Sequence, residues 1–358
     1  MSPRRRLCLL QAAALPLAAL GAGIEPGRAL RFPRDHGAHL ESRTEWWYAT
    51  GWLGREEQPT HGFQITFFRS RTGLAADSAS RFAARQLLFA HAAVSEPATQ
   101  AHGHDQRIVR WSGAPTAALG AAREDGGGVT IGPWSLIDEG PAWHAQIQAR
   151  DFELDLRLQR NQPLLLQGDA GLSRKGPQER QASRYYSEPQ LAASGSLRLQ
   201  GRAGSTAGRA WLDHEWSDEI LHPQAVGWDW IGINLFDGSA LMAFVLRRAD
   251  GSVLWAGGSF RAPGQASRIF APEAVAFVAG RRWRSPASGA SYPVHWQVST
   301  PVGSFEVRSL MDAQELDSRA STGTIYWEGL SELRDAQGRR VGLGYLEMTG
   351  YAGALKLT

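Results

Sequence analysis

Cysteine is almost absent from this sequence: Cys8 is the only one among 358 residues. It lies in an N-terminal stretch that we expect to be removed, which would leave a chain without cysteine. Such a chain forms no disulfide bond and offers neither a thiolate zinc site nor a cysteine nucleophile. Lysine is nearly absent as well, because Lys175 and Lys356 are the only two and arginine supplies the other basic residues.

A surplus of positive charge is also missing once the N-terminus is set aside. The formal net charge is +3, and Arg4, Arg5 and Arg6 account for all of it. Without these three arginines the chain would carry no net charge. Nucleic acids are bound through a basic face that neutralises phosphates, so the sequence does not predict a nucleic-acid partner.

The N-terminus has the pattern of an export signal. The three arginines precede an apolar run over residues 7–20, and small residues follow at 21–23. This order predicts a Sec or Tat signal peptide and leader over residues 1–29, and hence a periplasmic or secreted protein. The apolar run is short for a membrane span, although an uncleaved membrane anchor is the alternative.

Helical periodicity is weak throughout, and residues 272–280 are the best short candidate for a helix. Apolar and polar residues instead alternate, as in residues 151–158 and 63–67. Turn signals follow as Asp-Gly pairs beginning at Asp125, Asp237 and Asp250. Many short strands that each bury one face predict an all-β barrel or sandwich.

The second half of the chain repeats the first half in order. The matched segments are 45–53 with 228–235, 63–68 with 241–246, 152–154 with 305–307, 185–186 with 326–327, and 211–213 with 345–347. Chance similarity among strands is the alternative explanation. The ordered matches predict two homologous β-domains, over residues 30–220 and 221–358, with Trp47 and Trp230 at equivalent positions.

Four ordered motifs carry a family resemblance. They are residues 35–39, 44–48, 166–176 and 211–217. The chain resembles the carotenoid 1,2-hydratase (hydroxyneurosporene synthase) family, in its AttH-like branch of secreted proteins. The resemblance implies an all-β chain with two tandem lipocalin-like antiparallel β-barrel domains.

The same resemblance leads to three alternative functions, and no cofactor is predicted. In the hydratase branch, a hydro-lyase adds water across a carbon–carbon double bond of an apolar isoprenoid or lipid-like ligand. In the AttH-like branch, a non-catalytic lipid-binding or chaperone component works with an envelope ABC transporter. A secreted hydrolase ranks third, because the sequence has no Gly-x-Ser-x-Gly nucleophile motif.

Asp213, His214, Glu215 and Trp216 form the densest group of functional side chains. On a strand, Asp213 and Glu215 point one way, and His214 and Trp216 point the other. Alkene hydration needs a positioned acid and ring faces that stabilise a carbocation, so the catalytic candidates are Asp213, His214 and Glu215. A structural polar cluster that closes the first barrel is the alternative. The matching strand of the second half offers Glu347 but no histidine.

Further residues are candidates for the wall of a ligand pocket: Glu45, Trp46, Trp47, Tyr48, His91, Tyr185, Tyr186 and Trp216. For Glu45, pairing with Arg43 or another arginine is the favoured alternative, and for His91 it is a hydrogen-bonded place in the core. One tyrosine of the pair 185–186 is expected to face solvent. His102 and His104 have no third ligand nearby, so no metal site is predicted.

Overall fold

The computed structural model describes residues 24, 27–74, 77–78, 80, 82–114, 119–219 and 221–355. The predicted signal peptide and leader therefore lies almost entirely outside the described residues. Among the residues that are described, no helical segment has the length and apolar character that crossing a membrane requires.

The first sheet contains thirteen antiparallel strands. In chain order they are β1 (Thr44–Gly54), β2 (Pro59–Arg71), β3 (Gln86–Glu96), β4 (Ala101–Trp111), β5 (Gly120–Ala122), β6 (Gly128–Ile131), β7 (Trp134–Asp138), β8 (Ala142–Gln148), β9 (Phe152–Gln159), β10 (Leu165–Leu166), β11 (Leu172–Arg174), β12 (Ala182–Leu199) and β13 (Arg202–Ser217). Hydrogen bonding orders them β4-β3-β2-β1-β13-β12-β9-β8-β7-β6-β5, with β10 and β11 both on β12. The edge strands β4 and β5 pack together, so this sheet nearly closes on itself.

The second sheet contains ten antiparallel strands, and a small hairpin lies beside it. They are β14 (Gly227–Leu235), β15 (Ala240–Arg247), β16 (Val253–Arg261), β17 (Arg268–Phe270), β18 (Ala276–Ala279), the hairpin β19 (Arg282–Arg284) and β20 (Ser291–Pro293), β21 (His295–Thr300), β22 (Gly303–Ser309), β23 (Glu315–Asp317), β24 (Ile325–Arg334) and β25 (Arg340–Met348). Their order in the sheet is β17-β16-β15-β14-β25-β24-β22-β21-β18, with β23 on β24.

Residues 272–280 do not form the short helix that the sequence favours. Only a 3-10 turn forms there, over Pro272–Ala274, and strand β18 follows it. The other 3-10 turn in the described part of the chain is Arg34–His36. Strand β18 pairs with β21, so pairing with a neighbouring strand overrides the local preference of this segment.

Both sheets repeat one strand order, which confirms an all-β chain with two lipocalin-like domains. Strands β2-β1-β13-β12-β9-β8 correspond to β15-β14-β25-β24-β22-β21. Within this repeat, the expected match of Trp47 with Trp230 is wrong by one residue. Tyr48 lies opposite Asp213, and Trp230 lies opposite Glu347, so Tyr48 and Trp230 are the equivalent pair. A shift of one residue moves a side chain to the other face of a strand.

Three apolar clusters explain why the central strands are buried on both faces. Trp47 belongs to the interior of the first barrel, and Ile231 belongs to the interior of the second. Tyr48, Trp211 and Trp230 belong to a third cluster, in which the outer faces of the two sheets pack against each other. The equivalent residues Tyr48 and Trp230 meet there edge to face, with ring centroids 5.4 Å apart.

This packing requires a small residue at Gly62. A Cβ atom built at Gly62 would lie 2.8 Å from both the Leu330 Cβ and the Tyr345 hydroxyl of the opposite barrel. We expect Gly62→Val to lower the free energy of unfolding by about 1–3 kcal/mol in chemical denaturation, because overpacking forces the barrels apart. Gly204→Val is the matched control, since no atom lies within 4 Å of its added Cβ. Equal stability of the two variants would contradict this account of the interface.

Candidate functional site

A cavity of about 480 Å³ lies between the two barrels, which is a volume typical of small-molecule sites. We call it the inter-barrel cavity. Aromatic residues of both barrels line it: Trp46, Tyr48, Phe68, Phe89, Tyr185, Trp228, Trp230, Phe244 and Tyr326. Its polar lining includes Lys175, Asp213, Glu215, Glu328 and Glu347. The cavity therefore combines ring faces with a group of carboxyls.

Strand alternation decides which of the sequence candidates reach this cavity. Asp213 and Glu215 of β13 point into it, as do Trp46 and Tyr48 of β1. His214 and Trp216 point to the opposite face, into the first barrel, as do Glu45 and Trp47. The structure thus brings Asp213 and Glu215 together with the aromatic wall of the cavity. It places His214 on the other face of β13, away from these carboxyls and from that wall.

Asp213 is buried among three hydrogen-bond donors. One of its oxygens accepts from Tyr185 at 2.6 Å, and the other accepts from Ser187 and Trp211, each also at 2.6 Å. Burial raises the pKa of Asp213 to about 7 although these donors oppose the shift. A carboxyl with such a pKa can exchange a proton near neutral pH.

Glu328 and Glu347 form a carboxyl pair on the opposite wall. They are direct cross-strand partners on β24 and β25, and the Tyr48 hydroxyl donates to Glu328 at 2.7 Å. Burial raises the pKa of Glu328, and the neighbouring charge of Glu347 raises it further. Enclosure between the barrels also raises the pKa of Glu347, and the charges of Asp213 and Glu215 act in the same direction. The pair therefore retains a proton at pH values where isolated carboxyls are ionised.

His91, Tyr185 and Tyr186 are all buried, but they do not share the same surroundings. His91 lines the cavity. Its ring nitrogens form hydrogen bonds with the hydroxyls of Tyr326, at 2.6 Å, and Ser321, at 2.8 Å. Both partners belong to the second half of the chain. Burial lowers the pKa of His91 to about 3. The expectation that Tyr185 or Tyr186 faces solvent is wrong, because both are buried: Tyr185 in the cavity wall and Tyr186 inside the first barrel.

Glu45 anchors a separate polar cluster inside the first barrel, which we call the Glu45 cluster (His39, Glu45, Arg69 and His214). Arg69 donates to Glu45 at 2.7 Å, and His39 and His214 lie 2.8 and 2.9 Å from the same carboxylate. Burial alone would raise the pKa of Glu45, but Arg69 and His39 hold it well below its usual value. The arginine partner is Arg69, which follows Glu45 by 24 positions, so the sequence could name only an unspecified arginine.

The aromatic residues around this cluster hold its imidazoles in place. Trp216 stacks on His39 with ring centroids 3.6 Å apart, and Trp47 stacks on His214 at 4.7 Å. The Tyr186 hydroxyl lies 3.2 Å from Nδ1 of His214. Burial lowers the pKa of His214 to about 4, so its imidazole is neutral at physiological pH.

His39, Glu45 and His214 also have the geometry of a metal-binding group, with one ligand atom from each within 4.8 Å of the others. The Arg69 guanidinium already forms an ion pair with Glu45. Its positive charge would repel a metal ion at the same carboxylate. Both histidines are also hydrogen-bonded to that carboxylate. The donor set does not fit a resident metal, and the cluster is a satisfied polar core.

Sequence reasoning did not name Lys175, Phe244, Tyr326 or Glu328 as site residues, although all four line the cavity. Within the repeat, Tyr326 corresponds to Tyr185 and Glu347 to Asp213, because β24 corresponds to β12 and β25 to β13. This correspondence could have identified Tyr326 as a candidate site residue, and it could have supported Glu347 as another. It could not show that the two sets face each other across one cavity.

The carboxyl pair should reduce stability at neutral and alkaline pH. An acid with a raised pKa in the folded state makes the protein less stable as the pH rises from the unfolded to the folded pKa. Glu347→Gln should therefore stabilise the protein relative to wild type at about pH 9, with the difference disappearing near about pH 4. Thermal unfolding across this range measures it.

Glu332→Gln is the matched control for this experiment. Glu332 lies on β24, and Arg334 and Arg340 donate to its carboxylate at 2.6 and 2.8 Å. Loss of that carboxylate should lower the melting temperature at neutral pH, opposite to Glu347→Gln. A Glu347→Gln variant that is less stable than wild type at alkaline pH would show that the carboxyl pair is not destabilising.

The fold and cavity define a class of protein: two lipocalin-like barrels whose outer faces pack around an acidic, aromatic cavity. The family model described as AttH-like matches residues 23–351, and the chain therefore belongs to the AttH-like family. No curated protein matches the chain.

Solved structures show the same architecture. A protein named as an AttH from Nitrosomonas europaea is 46% identical, with a TM-score of 0.84, over 92% of this chain and 99% of that one. Kievitone hydratase from Nectria haematococca is 14% identical, with a TM-score of 0.66, over 92% and 95%. CghA is 13% identical, with a TM-score of 0.51, over 88% and 89%. The last two similarities concern the fold alone.

Proposed function

We propose that this protein is an exported hydro-lyase that adds water across a carbon–carbon double bond of an isoprenoid or lipid-like molecule held in the inter-barrel cavity. One observation carries the proposal: carboxyls with raised pKa values face aromatic rings inside one cavity. Kievitone hydratase is by its name a hydratase with this fold. The carotenoid 1,2-hydratase resemblance supplies the same reaction type.

The chemistry assigns a role to each wall of the cavity. The protonated Glu328–Glu347 pair donates its proton to one alkene carbon, and a carbocation forms at the other. The faces of Trp46, Trp228 and Trp230 stabilise that cation, because ring quadrupoles attract positive charge.

Water then adds to the cation and loses a proton to the ionised Asp213. The product is an alcohol that contains one added water molecule. The proton gained by Asp213 returns to the Glu328–Glu347 pair through solvent, which restores the starting enzyme. General acid and general base thus come from opposite barrels, on either side of the ligand.

The experiment that tests this proposal is hydration in labelled water. The purified protein is incubated with a panel of isoprenoid alkenes in H2(18)O, and products are analysed by mass spectrometry. We expect an alcohol that carries the label at the more substituted carbon, since the tertiary cation is the more stable one. The same panel with no labelled alcohol, but with alkene retained by the protein, would contradict catalysis.

The second candidate is a non-catalytic lipid carrier that works with an envelope ABC transporter. The favouring observation is the large aromatic and aliphatic share of the cavity wall, which suits a hydrocarbon chain. A carrier needs no acid in that wall, and the buried carboxyls therefore favour the enzyme. Co-purification of a ligand from the periplasm without turnover would favour the carrier.

Export is part of the proposal and rests on the pattern of residues 1–29. N-terminal sequencing of the protein from a soluble periplasmic or secreted fraction tests it. We expect the mature chain to begin within residues 21–31, after loss of the first twenty to thirty residues. A soluble protein that still begins at Ser2 would contradict the proposed export.

A further inference from the structure

Lys175 is the one lysine in the part of the chain that the structure describes, and it lies in the inter-barrel cavity. The loop that carries it joins β11 to β12. The Lys175 backbone N–H donates to the carbonyl of Gln181 at 2.7 Å, which fixes this loop at the cavity wall. The side chain is only 7% exposed, so its ammonium is enclosed by both barrels.

The ammonium has one charged partner and two ring faces around it. Its Nζ atom lies 2.9 Å from an oxygen of Glu215. It also lies 4.3 Å from the ring centroid of Phe244 and 4.8 Å from that of Tyr185. An ammonium carries three N–H donors, and a carboxylate oxygen satisfies one of them. The aromatic rings are weak acceptors, so donor capacity remains on the side of the cavity.

A ligand that fills the cavity would occupy the space that these donors face. A hydrocarbon offers no acceptor, and leaving buried N–H groups of a charged amine without a partner is costly. An oxygen acceptor on the ligand removes that cost. Glu215 already balances the charge of Lys175, and Asp213 and Glu347 also face the same cavity. A neutral oxygen therefore suits this position better than an anionic one.

We propose that Lys175 binds a neutral carbonyl oxygen of the ligand, so that the substrate class is an oxygenated isoprenoid, such as a ketone, rather than a pure hydrocarbon. The inference rests on the proposed function, since it assumes that the inter-barrel cavity is the ligand site. It adds a position for the polar end of the substrate, beside Glu215. Lys175 is a specificity residue in this proposal and donates no proton to the alkene.

The test compares matched probes on wild type and on Lys175→Met. The probes are geranylacetone, the hydrocarbon with the same skeleton but no carbonyl, and the corresponding carboxylate. Tryptophan fluorescence reports binding, because Trp46, Trp228 and Trp230 line the cavity. We expect wild type to bind the ketone about 10-fold or more tightly than the hydrocarbon, as expected for a hydrogen bond to a charged group. Lys175→Met should bind both equally.

Glu215→Gln provides an independent variant with the opposite expected effect. Without the carboxylate, the ammonium is free to bind the ligand oxygen more strongly, so the preference for the ketone should increase and the carboxylate probe should gain affinity. Should Lys175→Met fail to fold, wild type and Glu215→Gln decide the question by themselves.

Two results would overturn the proposal. Equal binding of ketone and hydrocarbon by wild type would remove the role of Lys175 while leaving the cavity as an isoprenoid site. A preference for the ketone that survives in folded Lys175→Met would assign the oxygen to another residue. If none of the probes binds to wild type, the Lys175 proposal falls, and hydration in labelled water decides the proposed function separately.

Discussion

Glu347→Gln and Asp213→Asn should each lower the rate of alkene hydration by about 10²–10⁴, the usual contribution of one positioned acid or base. Glutamine cannot donate the proton that starts the reaction, and asparagine cannot accept the proton that ends it. Both substitutions preserve the shape of the side chain. The measurement is the initial rate of labelled alcohol formation, with the fold checked by circular dichroism.

The same mechanism predicts a bell-shaped dependence of rate on pH. Asp213 must be ionised, and because burial raises its pKa to about 7, the rate should fall as the pH drops below that value. The Glu328–Glu347 pair must hold a proton, so the rate should also fall at alkaline pH, as the pair ionises through its raised pKa. With carboxyls of ordinary pKa, both the rise and the fall of the rate would lie well below neutral pH.

Glu332→Gln is the control for these activity measurements, because it changes the same residue type on β24 but outside the cavity. A rate for folded Glu347→Gln or Asp213→Asn that equals that of Glu332→Gln would exclude the carboxyl in question from catalysis. His214→Ala separates the two faces of β13. This substitution should lower the melting temperature, because His214 contacts Glu45 and Tyr186 inside the first barrel.

Arg69→Met should lower the free energy of unfolding by about 3–5 kcal/mol, as is typical when one partner of a buried ion pair is removed. The Arg69 guanidinium is fully buried and donates to Glu45 at 2.7 Å, to Gln86 at 2.8 Å, and to the carbonyls of His39 and Ser42 at 2.7 and 2.9 Å. Methionine fills much of the same volume but satisfies none of these acceptors. Glu45 would remain as a buried charge beside two imidazoles.

Chemical denaturation of two further variants checks this explanation. Arg157→Met breaks an exposed ion pair with Glu139 and should change the free energy of unfolding by no more than about 0.5 kcal/mol. The double variant Glu45→Gln/Arg69→Met removes both charges and should recover part of the stability lost in Arg69→Met. An Arg69→Met variant that is as stable as Arg157→Met would show that the Glu45 cluster does not stabilise the first barrel.

Local patterns in the sequence were enough to predict an all-β chain. Alternation in residues 151–158 and 63–67 placed strands that the structure contains as β9 and β2. The Asp-Gly pairs lie at the turns between β5 and β6, between β14 and β15, and between β15 and β16. These signals succeed because the conformations of a strand and of a tight turn depend mainly on residues close in sequence.

The internal repeat predicted two homologous β-domains, which composition alone does not predict. Segments 152–154 and 305–307 lie in β9 and β22, which hold corresponding places in the two sheets. The repeat failed only in register, where it paired Trp47 with Trp230 instead of Tyr48 with Trp230. Two adjacent tryptophans at 46 and 47 make such a slip easy, and its consequence is a change of face.

The sequence by itself determined the alternating strands, the duplication, the family resemblance and the two faces of β13. Only the tertiary structure decided what each face meets. An alternating strand usually has one buried and one solvated face, but here the outer faces of both sheets pack together, so Asp213 and His214 are both buried in different surroundings. Glu328, Lys175 and Arg69 gained their roles in the same way, because their partners lie on other strands and, for Glu328 and Lys175, partly on the other barrel. Contacts of that range depend on how two barrels pack, which no local pattern of residues specifies.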